Sequence, residues 1–445
     1  MVERTRIKEI IDTALKDSKA DATEVLVFAD DNQLTRFANS TIHQNVAETN
    51  VQVRVRAIAG RRQGVASTND THPDALRRVV EQALQAANIQ PERDADILMA
   101  DPATIEPVIA LSESTAECSP RRRAEAVQTV CRLSDEAGLL ASGAFSSAIW
   151  SMAIGNSHGL FAYHAGTQAN FTTVVMGEDS SGFAENAHWD IDSLDTHALG
   201  REAIDTALRS RSPRTVEAGE YPVVLKPYAV CDLIGTLGWI GLNALSVQEK
   251  RSFMTNQIGK RVASPLVTIW DDGRDLRGLP APFDFEGIPR QRVSLIEEGI
   301  ARGVVYDLDT AAREGRKSTG HGLPAPNTWG PMPAHIFMAG GEASLEDLVN
   351  SVDSGLLVTR FHYTVPIHEK RTVTTGMTRD GTFWIENGEI AYPVKNLRFT
   401  QSYIGALNSV EMLGRDTRLI QEWSGGNYAP AVKIGAFRFT GGTEF

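Results

Sequence analysis

His368 and Glu369 form the one His-Glu dipeptide in this 445-residue chain. On a helix, such a pair followed by a second His one turn later holds zinc through its imidazoles and offers the Glu as a general base. The spacing fails here. The short form of that motif needs His at position 372 and a longer form at 373, and these residues are Thr372 and Val373. The β-branched run Thr372-Val373-Thr374-Thr375 also favours a strand over a helix. A turn is predicted at Asp380-Gly381, a second strand at Thr382-Phe383-Trp384-Ile385, and a hairpin turn at Asn387-Gly388. His368 and Glu369 then open a β-meander. Neighbours on a strand point to opposite faces, so the pair reads as an ordinary surface pair and not as a shared ligand set.

Other residues of suitable chemistry are scattered. His362 lies six residues before His368, and His321 sits in the Gly- and Pro-rich stretch STGHGLPAPNTWG. Loops of that composition often carry sites, but a hydrogen-bonded structural His is the reading adopted for His321. Arg379-Asp380 is read as turn chemistry. No GxSxG nucleophile elbow is read, and none of Cys118, Cys131 and Cys231 has a neighbouring His in sequence to activate it.

The elements that must position these residues sit in a chain of ordinary globular composition, 42% hydrophobic and 22% charged, with formal net charge −12 and a pI near 5.4. The acidic balance argues against direct nucleic-acid binding, since the longest basic tract is PRRRAEA around Arg121. No apolar run approaches the ~20 residues of a membrane span. The amphipathic, charged N-terminal segment lacks an apolar signal core, and three distant cysteines without a CxxC suit a reducing compartment, so a cytoplasmic location is expected.

Periodicity predicts helices over 3–17, after Thr71 in THPDALRRVVEQALQAANI, over 119–138 with Ser119 as cap, and over 196–210. Between them lie antiparallel strands, with turns expected at Asp30-Asp31, Gly60 and GNSHG. The polar stretch RSRSPRTVEAGEYPV reads as a linker. A short strand at 221–225, an apolar helix over 226–247, a strand-rich remainder from 255, and helices near 344–353 and 402–412 follow. The expected fold is α+β in two halves, 1–217 and 218–445, each mainly antiparallel sheet with covering helices.

The helix YAVCDLIGTLGWIGLNALSVQEKRSF is apolar nearly all round and so expected to be buried. Gly235, Gly238 and Gly241 recur every three residues, a stripe that lets a neighbouring backbone approach closely. No GKS or GKT follows, so the glycines are not a phosphate loop.

Stretches across both halves carry a family resemblance: RFANSTIHQN, IGNSHG, KRSFMTNQIGKRVASPLVTIWDDG, FDFEGIPRQRVSLIEEGI, STGHG, GEASLEDLVNSVDSGLLVT and GMTRDGTFWIENGEIAYPVKNLRFTQSYIGALNSVEMLGRD. The chain resembles the TldD/TldE (PmbA) family, once called modulators of DNA gyrase. The resemblance implies a dimeric protein and, in the bacterial system, a TldD–TldE heterodimer that cleaves unfolded peptides and modified peptide precursors. In the TldD type, HExxxH on the helix corresponding to 226–247 and a Cys near the C-terminus bind zinc. Counted from Val262-Ala263-Ser264, the HExxxH positions fall near Thr236, Leu237 and Gly241, and no His or Glu occurs between Ala229 and Gln248. The late Cys falls around Trp423 to Asn427, and no Cys follows Cys231. KRSF at 250–253 resembles the TldE type.

The resemblance therefore implies a non-catalytic subunit with no cofactor of its own, paired with a zinc-bearing TldD-type HExxxH homologue, or with itself as a homodimer, and acting on unfolded peptide. Two alternatives stand beside it. One is an independent hydrolase that uses His321, His362, His368 and Glu369. The other is a regulatory binding protein acting on DNA gyrase, which the acidic pI disfavours.

Overall fold

The computed structural model describes residues 3–16, 18–422 and 425–442. The strands of the first sheet are β1 (Ala22–Ala38), β2 (Thr41–Ala59), β3 (Arg62–Thr68), β4 (Leu140–Asn156), β5 (Phe161–Met176) and β6 (Ser181–His188). Their order is β3-β2-β1-β4-β5-β6, and every pairing is antiparallel. Helices Arg4–Lys16 and Pro73–Asn88 bury Ile7, Ile10 and Val79 against Val25, Val27 and Val53 at one end of a single face. Helices Pro120–Glu136 and Thr196–Arg209 cover the other end over Phe145 and Phe171. The opposite face, carrying Leu26, Met152 and Ile154, packs on Phe283 from the later half of the chain. Alternation along each strand thus assigns one face to helices and the other to a chain segment far away in sequence.

The second sheet has eleven strands: β7 (Gly219–Leu225), β8 (Ile269–Asp271), β9 (Val293–Glu297), β10 (Ile300–Ala301), β11 (His335–Met338), β12 (Ser354–His368), β13 (Val373–Glu386), β14 (Glu389–Val394), β15 (Leu397–Ser402), β16 (Val410–Glu422) and β17 (Gly425–Gly442). Because β17 pairs with both β15 and β7, the strands β7, β12, β13, β15 and β17 close into a ring. Two pairs, β7–β12 and β11–β17, are parallel; the rest are antiparallel. On β7, Val223 and Leu225 point to the large core under the helix Pro227–Gly241, while Val224 points to a smaller core under the helix Leu345–Asn350.

Three local expectations are corrected. Asp30-Asp31 is no turn: β1 runs straight through it, with Asp30 opposite Asn50 and Asp31 opposite Thr49, and the chain reverses at Asn39-Ser40, both at positive φ. A 17-residue ladder overrides the turn preference of two aspartates. Asp380-Gly381 is likewise inside β13. Val358 faces Thr382 and Arg360 faces Arg379, so the two residues oppose Thr359 alone in a β-bulge, with φ of 55° and 112°. Asp380 is buried there and accepts from Arg360 Nε at 2.6 Å, which replaces the turn reading of Arg379-Asp380. The expected helix 226–247 is two helices, Pro227–Gly241 and Ala244–Gln248. Asn243 is extended between them, and its Oδ1 caps the second by accepting from Ser246 N at 2.9 Å. The late helices are also shorter than expected, Leu345–Asn350 and Tyr403–Asn408. The other predicted helices, and the turns at Gly60, GNSHG and Asn387-Gly388, stand where the sequence put them.

Candidate functional site in the groove beside the buried helix

The helix Pro227–Gly241 starts with Pro at its first turn, where a missing N–H costs nothing. Most of its residues are buried, but one stripe stays open. Asp232, Gly235 and Thr236 are partly exposed, and Trp239 is 53% exposed, at the three- and four-residue spacing of one helix face. This stripe, together with Trp329, Met332, Glu422 and Asn427, lines a groove of about 610 Å³.

A few polar side chains line this mostly apolar groove. Asp232 Oδ2 accepts from Thr364 Oγ1 at 2.8 Å, and Oδ1 accepts from Tyr403 Oη at 3.1 Å. Burial raises the Asp232 pKa to about 6, against the pull of those two hydrogen bonds. Asn427 Nδ2 donates to the Cys231 carbonyl at 3.2 Å and to Glu422 Oε1 at 3.3 Å. Burial and the neighbouring Asp232 raise the pKa of Glu422 as well.

The positions near the missing HExxxH divide. Thr236 faces the groove. Leu237 is fully buried in the core. Gly241 lies under KRSF: a Cβ there would meet the Phe253 ring at 2.6 Å, and Ser252 Oγ donates to the Gly241 carbonyl at 2.6 Å. The tetrapeptide and the glycine thus fit as one packing unit. Zinc takes three or four His, Cys or carboxylate donors. Among the described residues no three such side chains converge, and Asp232 is engaged by two hydroxyls, so these residues do not fit the metal. Trp423 and Ser424, at the start of the expected Cys region, lie outside the described residues; Gly425, Gly426 and Asn427 carry no thiol.

The four loop candidates are not brought together. His321 is fully buried; its Nε2 meets Asp271 Oδ1 at 2.8 Å and its Nδ1 meets Thr319 Oγ1 at 2.9 Å. Burial alone would raise the Asp271 pKa, but attraction to His321 and the hydrogen bond outweigh it and hold the pKa low. His362, midway along β12, stacks edge-on with Tyr363, and burial, Arg379 and Arg360 lower its pKa. His368 ends β12, and Glu369 begins a 3₁₀ turn, so strand alternation does not govern the pair; the two side chains still diverge. His368 Nδ1 accepts from Arg371 N at 3.4 Å, while Glu369 is salt-bridged to Arg251 of KRSF at 3.0 Å.

Two features escaped the sequence reading. Gly155-Asn156-Ser157-His158-Gly159 does have GxSxG spacing. It forms the exposed β4–β5 hairpin, where Asn156 Oδ1 accepts from His158 N and Leu160 N, and no helix follows it. It is not a nucleophile elbow, which requires a strand-to-helix turn. The tract around Arg121 is no basic patch either. Arg121 pairs with Glu125, Arg122 with Asp192, and Arg123 is fully buried, donating to Gln33 Oε1 and the Cys118 carbonyl at 2.8 Å each.

Comparison with known proteins accounts for this architecture. A family model described as the PmbA/TldA metallopeptidase C-terminal domain matches residues 218–441, and models of domain 1 and the central domain of the same family match 24–87 and 102–211. The chain belongs to the PmbA/TldD metallopeptidase family. Metalloprotease PmbA of Escherichia coli is 27% identical over 440 residues, covering 93% of this chain and 92% of the relative. A TldD homolog of Buchnera aphidicola is 30% identical over 261 residues, 57% of this chain and 51% of its own. TldE of Thermococcus kodakarensis has the same fold, with a TM-score of 0.89 at 20% identity over 98% of this chain and all of the other. A Thermotoga maritima protein described as a modulator of DNA gyrase superposes with a TM-score of 0.84 at 19% identity, covering 98% of this chain and all of that one. No helix among the described residues is long and apolar enough to cross a membrane.

Proposed function

We propose that this chain is the non-catalytic, TldE-like subunit of a TldD/TldE-type metallopeptidase that acts on unfolded or modified peptides. One observation carries the reading. The helix Pro227–Gly241, which the resemblance aligns with the family's zinc helix, turns Thr236 and Trp239 to its groove and packs Leu237 and Gly241 into the core, so it offers no metal donor at the expected positions. The partner would bring the metal, the activated water and the general base. This chain would bring groove wall and docking surface.

Exposed apolar residues support the docking role. Trp239 and Trp329 flank the groove. On β12, Thr364 turns inward to Asp232, while Tyr363, Val365 and Ile367 are more than half exposed. A monomer seldom leaves such a patch uncovered. An extended peptide entering the groove would find the aromatic walls of Trp239 and Trp329.

The test is reconstitution with a TldD-type homologue carrying HExxxH and the late Cys. An unstructured peptide is offered to each protein alone and to both. Co-elution, with hydrolysis only in the mixture, is expected. Equal cleavage by the partner alone without co-elution overturns the reading. So does chelator-sensitive, zinc-restored cleavage by this chain alone.

A further inference from the structure

A second cavity, of about 420 Å³, lies between the open face of the first sheet and the later half of the chain. Its sheet wall alternates cleanly: Phe28 on β1, Arg54 on β2, Trp150 on β4 and Gln168 on β5 all point into it. Phe28 and Trp150 stack with centroids 6.1 Å apart, giving the wall a flat apolar surface. The opposite wall holds Phe285 and Arg290.

Arg290 is 5% exposed, and its Nε and Nη1 donate to no acceptor among the described residues. The carboxylates near it are already engaged. Asp271 accepts from His321 Nε2 and His335 N, and Asp284 accepts from Glu286 N, Ile288 N and Gly322 N. Burial lowers the pKa of Arg290 against the pull of those two acids. The Arg54 Nε is buried and without an acceptor as well. A guanidinium held out of water with unpaired donors is costly until an anion reaches it; because Nε and Nη1 lie on different edges of the group, one carboxylate would pair with Nη2 and one of the two.

We propose that this cavity binds the C-terminal carboxylate of a peptide whose last side chain is apolar. The carboxylate would sit on Arg290, with Arg54 beside it, and the side chain on the Phe28–Trp150 wall. Asp30 and Glu422 also line the cavity and repel a doubly charged ligand such as a phosphate more than a singly charged carboxylate. Glu422 lines both this cavity and the groove, so a peptide lying in the groove has a path to it. The choice of a peptide end over a free small acid rests on the subunit reading above; the carboxylate site itself does not.

Binding to the purified full chain is measured by titration calorimetry. The probes are N-acetyl-phenylalanine and a short N-acetylated unstructured peptide ending in Phe, each as free acid and as amide. The free acids are expected to bind at least about tenfold more tightly than the amides, a difference that Arg290→Gln abolishes. Arg54→Gln should weaken acid binding several-fold, and Ala148→Leu should block it by filling the wall. These two variants keep the test alive if Arg290→Gln does not fold. Equal binding of acid and amide, binding of neither, or full-strength acid binding in Arg54→Gln and Ala148→Leu overturns the proposal. Tighter binding of the peptide acid than of the capped amino acid supports the peptide end, and the reverse order overturns that part. Because this chain is tested alone, a failed reconstitution leaves the carboxylate result standing, and a failed titration leaves the subunit reading standing.

Discussion

The groove beside the helix Pro227–Gly241 and the buried centre around His321 divide the polar groups of the later half in opposite ways. At the buried centre, His321, Asp271, Asp284 and Thr319 are tied by short hydrogen bonds and locked in place, whereas the neighbouring Arg290 keeps unpaired donors. Burial and Arg290 lower the His335 pKa to about 3, so it stays neutral there. In the groove, chemistry-bearing side chains are few and shape is prominent: Gly235 at the wall, with Gly238 and Gly241 packed behind it, two exposed tryptophans and two acids whose pKa values are raised. The comparison teaches that reactive residue types mark stability in this chain, whereas the open surface is held by small and aromatic residues. A histidine count alone would point to the wrong place.

The strongest test of that contrast is His321→Ala. It strips Asp271 of the partner that offsets its burial and leaves a void in a packed region. A loss of about 3 kcal/mol in unfolding free energy is expected, read from denaturant titration at neutral pH. Stability near that of wild type would mean the centre is not structural, and His321 would return as a candidate for chemistry.

Gly238→Leu sharpens the other side of the comparison. A Cβ at Gly238 would already meet Ile336 Cδ1 at 2.6 Å and Pro333 Cγ at 3.3 Å, so a larger side chain must push β11 away from the helix. Overpacking of this kind costs about 1–3 kcal/mol. Gly241→Leu should behave alike, against the Phe253 ring. An unchanged melting temperature in both would show that the stripe faces free space.

Much of the fold was legible because its signals are local. The helix period of Ile7, Ile10 and Ile11, the Ser119 cap that accepts from Arg122 N, and the Asn387-Gly388 turn each need only a few neighbouring residues. What failed were places where pairing overrides local preference, as at Asp30-Asp31 in the long β1 and at the Asp380-Gly381 bulge. The closure of β17 on β7 joins residues more than two hundred positions apart, and no periodicity records it. The site was half legible. The expected HExxxH positions Thr236, Leu237 and Gly241 came from the family resemblance, and the partnership of Gly241 with Ser252 and Phe253 needed the fold. The Arg290 cavity left no sequence signal, because alternate residues of four strands meet a loop from the other half.

Asp232→Asn carries the smallest expected effect and bears most directly on the groove. Asp232 has a folded pKa of about 6, above its ordinary value of 3.8. Between those values the folded state binds more proton than the unfolded state, so this residue's contribution to stability falls as pH rises from about 4 to about 6, then stays at its lower level. At low pH the neutral acid costs little; at neutral pH its charge is held among Thr364, Tyr403 and nearby Glu422 with incomplete compensation. Asparagine keeps the shape and removes the charge, though one of the two hydroxyl contacts must reverse its donor. The variant should therefore gain about 1 kcal/mol on wild type between pH 4 and pH 7, less than a full two-unit shift because water in the open groove screens the charge; the altered hydrogen bond does not titrate, so it displaces the whole profile without changing that gain. Denaturation midpoints of both proteins across that range give the difference, in which titration of groups remote from the groove cancels. Relief of Glu422 from its charged neighbour works in the same direction. Parallel pH profiles for the two proteins would mean that Asp232 is as well compensated as Asp271 is by His321, and the contrast between the two regions would fail.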